Sequence, residues 1–95
     1  MDHLQAVKDF RDFCAGYHPD TVIDHSDLDD CAMGQYAKSL EVDSLTVADR
    51  LRLPLQEVCG AKFFKDLSSI VYGPIEFPTY GVMTEKLTTA IDAYA

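Results

Sequence analysis

Five aspartates fall within the eleven residues from Asp20 to Asp30, "DTVIDHSDLDD", with His25 among them and Cys31 directly after. Side chains of these types can hold a metal, activate a thiol, relay protons or present charge to a partner. Metal binding finds no support in the spacing. Cys14 and His18 are four residues apart and His25 stands near Cys31, but no pair has the Cys-x-x-Cys or His-x-x-x-His separation of a zinc site. A helix break at Gly16 would also take Cys14 and His18 off a shared face. Nucleophilic catalysis by a Cys31–His25 couple meets a different obstacle. A helix N-terminus lowers a thiol pKa, yet the neighbouring aspartates raise it again. No oxyanion-hole loop or third orienting group accompanies the couple. Acid–base work by a carboxylate needs burial to shift its pKa, whereas Asp24, Asp27, Asp29 and Asp30 read as solvated. No glycine loop for phosphate is present. The expectation is a non-enzymatic chain with no catalytic residue, no metal and no cofactor.

Charge presentation is the remaining chemistry. Of the 95 residues, those from 1 to 49 hold eleven acids against Lys8, Arg11 and Lys38, whereas those from 50 to 95 hold five acids and five bases. The whole net charge of -8 therefore belongs to the first half. Such a surface repels nucleic acid and phospholipid headgroups and attracts basic protein surfaces. Aspartate outnumbers glutamate, and its short side chain holds charge near the backbone at lower entropic cost. A row of such groups can stand in for phosphates before a nucleic-acid-binding protein. The candidate partner-binding residues are Asp20, Asp24, Asp27, Asp29, Asp30, Glu41 and Asp43. Three of them, Asp27, Asp29 and Asp30, also have a structural use behind an N-cap at Ser26, where free amides and the helix dipole favour negative charge. Asp20 and Asp24 have no such use.

A competing reading concerns "SLTVADRLRLPLQEV", residues 44 to 58. It scans as a helix-turn-helix, whose second helix would enter the major groove of DNA. Ala48, Leu51, Leu53 and Val58 would form its core, and Arg50, Arg52, Lys62 and Lys65 its basic patch. Arg52 stands where the tight turn usually has glycine, and the reading helix offers Leu55, Gln56 and Glu57. Specific DNA binding draws on several phosphate contacts from Lys or Arg, which the charge balance of this chain opposes.

These residues need a scaffold, and the apolar spacing predicts one that is all-α, a single small domain over residues 1–95 with about five helices around one core. Leu4, Val7, Phe10, Phe13, Cys14 and Tyr17 recur at threes and fours, ended by Gly16 and His18-Pro19. Thr21-Val22-Ile23 is β-branched and extended. Behind Ser26, Leu28, Cys31, Ala32, Tyr36 and Leu40 form the buried face of a second helix that contains Gly34. Ser44 or Thr46 opens a third helix, with Val47, Ala48 and Leu51 inward. Pro54 suits the first turn of a fourth, which carries Leu55, Val58 and Cys59. Gly60 ends or bends that helix, Phe63, Phe64, Leu67, Ile70 and Val71 resume the period, and Gly73-Pro74 breaks it. Thr79 caps the last helix, with Tyr80, Met83, Leu87, Ile91 and Tyr94 on one face.

No apolar run reaches the ~20 residues that cross a bilayer, and no signal peptide is visible. Cys14, Cys31 and Cys59 are an odd set in apolar settings, which suggests a reducing compartment, the cytoplasm. Tyr17, Tyr72 and Tyr94 are amphipathic and suit a dimer seam, so the chain is expected as a monomer or a homodimer.

Two segments, "CAMGQYAKSL" (31–40) and "FPTYGVMTEKL" (77–87), resemble small proteins of bacteriophages and prophages. Those carry a Cys-Ala-x-Gly segment opening a helix and a Phe-Pro-Thr-Tyr-Gly segment capping the last one. Leu28 stands where the family often has an aromatic, and Val82 where it often has an acid. The resemblance implies a source in a virus or mobile element of bacteria, acting in the host cytoplasm. It also implies a mode of action: small acidic proteins of this kind, anti-CRISPR proteins among them, block a host system by occupying a nucleic-acid-binding surface. The partner so implied is the basic surface of a host protein such as a CRISPR effector, without direct binding of nucleic acid and without a membrane.

Overall fold

The stripe that begins at Leu4 becomes helix α1, His3–Ala15, in the computed structural model, which describes residues 2–23, 32–63 and 79–94. Val7, Phe10 and Cys14 are buried on it, and Leu4, Phe13 and Tyr17 pack at the margin of the core. Its cap is Asp2, whose carboxylate accepts from the Leu4 and Gln5 amides at 3.0 and 3.4 Å. Gly16 closes the other end. Helix α2 is Ala32–Leu40, α3 is Ser44–Cys59 and α4 is Tyr80–Tyr94. Residues 61–63 are helical as well. The chain is an all-α fold. Its one antiparallel bridge among the described residues joins Val22 to Thr79, where the sequence is β-branched and extended.

The four helices share one core. Phe10, Leu55, Met83, Leu87, Val7 and Val47 are its largest fully enclosed side chains, and none of the buried residues described is polar or charged. Each such side chain is worth roughly 1.5–3 kcal/mol relative to exposure. Helix α1 lies against α3 and α4, and α2 lies against α3. On α2 the buried residues are Ala32, Met33, Gly34 and Ala37, three of them small. Tyr36 is only half-buried, and Leu40, expected inside, is 46% exposed. It lies at the last residue of the helix, beyond the reach of the core.

The third helix departs most from expectation. Residues 44–59 form one unbroken helix with Pro54 inside it, so no second helix starts at Pro54. An internal proline removes one backbone bond and costs about 3 kcal/mol. Val47, Leu51, Leu55 and Val58 are buried on one stripe that runs past the proline, and the Pro54 ring is buried with them. Tertiary packing of that stripe offsets the local penalty. The helix-turn-helix reading of residues 44–58 fails here, since the segment has no turn, and Leu53, which it would bury, is more than half exposed. Gly60 then ends α3 with φ at 96°, a left-handed conformation that favours glycine. Its amide donates to the Gln56 carbonyl at 3.1 Å.

The remaining expectations on Ser26, Leu28 and Cys31, and on the stretch from Phe64 to Pro78 with Leu67, Ile70, Val71, Tyr72 and Gly73-Pro74, lie outside the described residues.

Candidate functional site

Every acidic side chain among the described residues is exposed. Of the seven candidate partner-binding residues, Asp20, Glu41 and Asp43 are described, and Asp24, Asp27, Asp29 and Asp30 lie outside the described residues. Each of the three sits on a different local device.

Asp20 is mounted between two anchored residues. The Pro19 carbonyl accepts from the Gly81 amide at 2.9 Å, and the Thr21 carbonyl accepts from the Tyr80 amide at 3.0 Å. The segment 19–21 thus supplies acceptors to the first turn of α4, whose amides have no partner within their own helix. Thr79 Oγ1 accepts a third of these amides, that of Val82, at 3.3 Å. Behind Asp20, its own amide donates to His18 Nδ1 at 3.1 Å, and the Thr21 amide donates to the His18 carbonyl at 2.9 Å. Tyr17 stacks on Tyr80 with ring centroids 4.0 Å apart and planes 8° from parallel. Backbone and aromatic contacts therefore fix the position of Asp20 while its carboxylate faces water.

Glu41 sits in the turn from α2 to α3 with φ at 58°, the left-handed region. The Val42 amide donates to the Ala37 carbonyl at 3.1 Å and the Glu41 amide to the Lys38 carbonyl at 3.2 Å. This pair of bonds is the Schellman ending of a helix, whose left-handed position glycine usually fills. A glutamate there is strained by roughly 1–2 kcal/mol.

Asp43 is the N-cap of α3, in place of the expected Ser44 or Thr46. Its carboxylate accepts from the Thr46 amide at 2.8 Å and the Thr46 hydroxyl at 3.1 Å. The Thr46 backbone bond, then the hydroxyl bond, hold its pKa below the usual carboxylate value. Asp43 stays exposed and charged, with part of its hydrogen-bonding capacity turned inward. The signal for this was an aspartate three residues before a threonine at a helix start. Glu41 and Asp43 share one turn; Asp20 belongs to another.

The acids elsewhere have mixed surroundings. Asp12 accepts from Arg11 Nε at 2.8 Å, and Asp9 from Gln5 Nε2 at 2.8 Å. His3 Nδ1 contacts Glu57 Oε2, which ties the start of α1 to α3 and was not foreseen from the sequence. Arg11 also reaches Thr88 Oγ1 of α4 at 3.2 Å.

The thiols are held for packing. Burial pushes Cys14 up to about 12 and Cys59 up to about 11, and neither is in a disulfide. A thiol so raised is a poor nucleophile at neutral pH. Burial, followed by the charge of Asp9, raises the Tyr36 phenol as well. Among the described residues no three His, Cys, Asp or Glu side chains are gathered as a metal ion would need. None of the described helices is long and apolar enough to cross a membrane.

In comparison with known proteins, the chain matches no family model, no curated protein and no solved structure.

Proposed function

We propose that this is a non-enzymatic acidic binding protein of phage or mobile-element origin. It inhibits a host nucleic-acid-binding protein, in the manner of an anti-CRISPR, by occupying the basic surface that DNA would take. It acts in the host cytoplasm. The observation that carries the reading is Glu41. An exposed acid is kept at a left-handed turn position that glycine would occupy without strain, and strain of this kind gathers where a residue serves something other than the fold. Asp20 supports it, being charged, exposed and fixed by two anchored neighbours. A charge held rigidly loses less entropy when a partner docks. Every acid among the described residues is exposed, in a chain of net charge -8.

Affinity capture from a bacterial lysate, read by mass spectrometry, tests this. The captured protein is then assayed for DNA binding by mobility shift. The reading expects a nucleic-acid-binding protein that releases its DNA when this chain is added. A captured partner that keeps its DNA, or this chain shifting a duplex by itself, overturns it.

A further inference from the structure

In this acidic chain helices α1 and α3 are each electrically balanced, with two acids against two bases, and of the two it is α3 that also exposes large apolar side chains. Over residues 44–59, α3 carries Asp49 and Glu57 against Arg50 and Arg52, in a chain of net charge -8. Two copies of an acidic protein meet with least repulsion at such a place. The same helix exposes large apolar side chains, Leu45 at 74% and Leu53 at 54%. Its buried stripe, Val47, Leu51, Leu55 and Val58, faces the core. On the opposite side Leu45, Asp49, Arg52 and Gln56 follow one another at spacings of four, three and four and so lie on one face, with Leu45 its apolar member and Asp49 and Arg52 its charges. Asp49 and Arg52 make no ion pair among the described residues.

The geometry points to this face as a homodimer seam, in which α3 packs antiparallel against α3 of a second copy. A twofold axis at the midpoint between Arg50 and Leu51 sets each Asp49 beside Arg52 of the other copy, and each Leu45 beside Gln56. Leu53 flanks the seam. Parallel pairing in register would set Asp49 against Asp49 and Arg52 against Arg52, so the charges select the antiparallel arrangement. The second copy is the occupant because the face is its own complement. A helix of 16 residues is about 24 Å long, so the seam is small and association is expected to be weak and concentration-dependent.

Sedimentation equilibrium on the full chain tests the seam, over roughly 1 µM to 1 mM. The expected mass rises from the 10.6 kDa monomer toward twice that value. Asp49→Arg alone, or Arg52→Asp alone, sets like charges together twice and weakens association at least about tenfold. The double variant carrying both exchanges the charges and restores it. Circular dichroism checks that the variants keep their helix content, as substitutions at exposed positions should. A monomer throughout the range, a dimer indifferent to Asp49→Arg, or a double variant no better than the singles would each overturn the seam.

Discussion

Replacing Gly81 with alanine probes the junction that mounts Asp20. A Cβ at position 81 would lie 2.8 Å from the Pro19 carbonyl oxygen and 2.9 Å from Pro19 Cβ. Neither neighbour can swing away, because one is backbone and the other belongs to a ring that fixes its own φ. The segment 19–21 must withdraw from the start of α4. Overpacking of this kind costs about 1–3 kcal/mol. Withdrawal also lengthens the Gly81 to Pro19 and Tyr80 to Thr21 bonds, each worth about 0.5–1.5 kcal/mol net. Against this stands the intrinsic helix preference of alanine over glycine, at most ~1 kcal/mol and less in a first turn. The balance is a loss of about 2 kcal/mol. For a domain of this size that lowers Tm by roughly 8–16 °C. Urea unfolding followed by circular dichroism, with the midpoint and slope fitted separately, reads the change. An alanine variant as stable as the parent, or more so, at unchanged slope would refute the close approach of Pro19 to Gly81.

Other expectations follow from single residues. Glu41→Gly relieves a left-handed glutamate, so it should raise stability by about 1 kcal/mol in urea while weakening capture of the partner; loss of stability, or unchanged capture, would go against the role given to Glu41. Because burial raises Cys14 and Cys59 in the folded state, stability from their neutral forms is complete below the unfolded thiol pKa near 9.0 and is lost as pH climbs toward 11 and 12. A pH series of thermal melts on Cys14→Ala should show a flatter alkaline limb than the parent, and an identical limb would remove the thiol from the explanation. Pro54→Ala exchanges a penalty of about 3 kcal/mol for a smaller loss of ring burial; the urea midpoint should rise or hold, and a collapse of helix content would show that the proline shapes α3 in some other way.

The parts of the fold that follow a local rule were open to reading. Helices α1 and α4 were legible because their apolar residues repeat at threes and fours, and because Gly16, His18-Pro19 and Thr79 mark their ends. The extended stretch at Thr21-Val22-Ile23 was legible from β-branching, but its pairing with Thr79 joins residues far apart in sequence, and no local signal records that. Pro54 misled because the rule for proline is local, whereas the stripe from Val47 to Val58 that overrides it is tertiary. Asp43 is exposed, as a surface acid should be, and its further role as the cap of α3 is not legible because a run of acids hides which one caps a helix. The end of α2 was hidden for the opposite reason, since glutamate occupies a turn position where glycine would have announced it. Asp20 and Glu41 are exposed, and their fixed backbone settings are visible only in three dimensions, whereas the acids that read as solvated, Asp24, Asp27, Asp29 and Asp30, lie outside the described residues.

If exposed carboxylates bind a basic, DNA-binding host surface through charge, as proposed, salt should weaken that binding. Affinity for the captured partner, measured by calorimetry between about 0.05 and 0.5 M salt, tests it most directly. Screening lengths fall from ~14 Å to ~4 Å over that range, so affinity should drop at least about tenfold, with a shallower dependence for a variant combining Asp20→Asn and Glu41→Gln. An affinity that stays level across the whole series would contradict it.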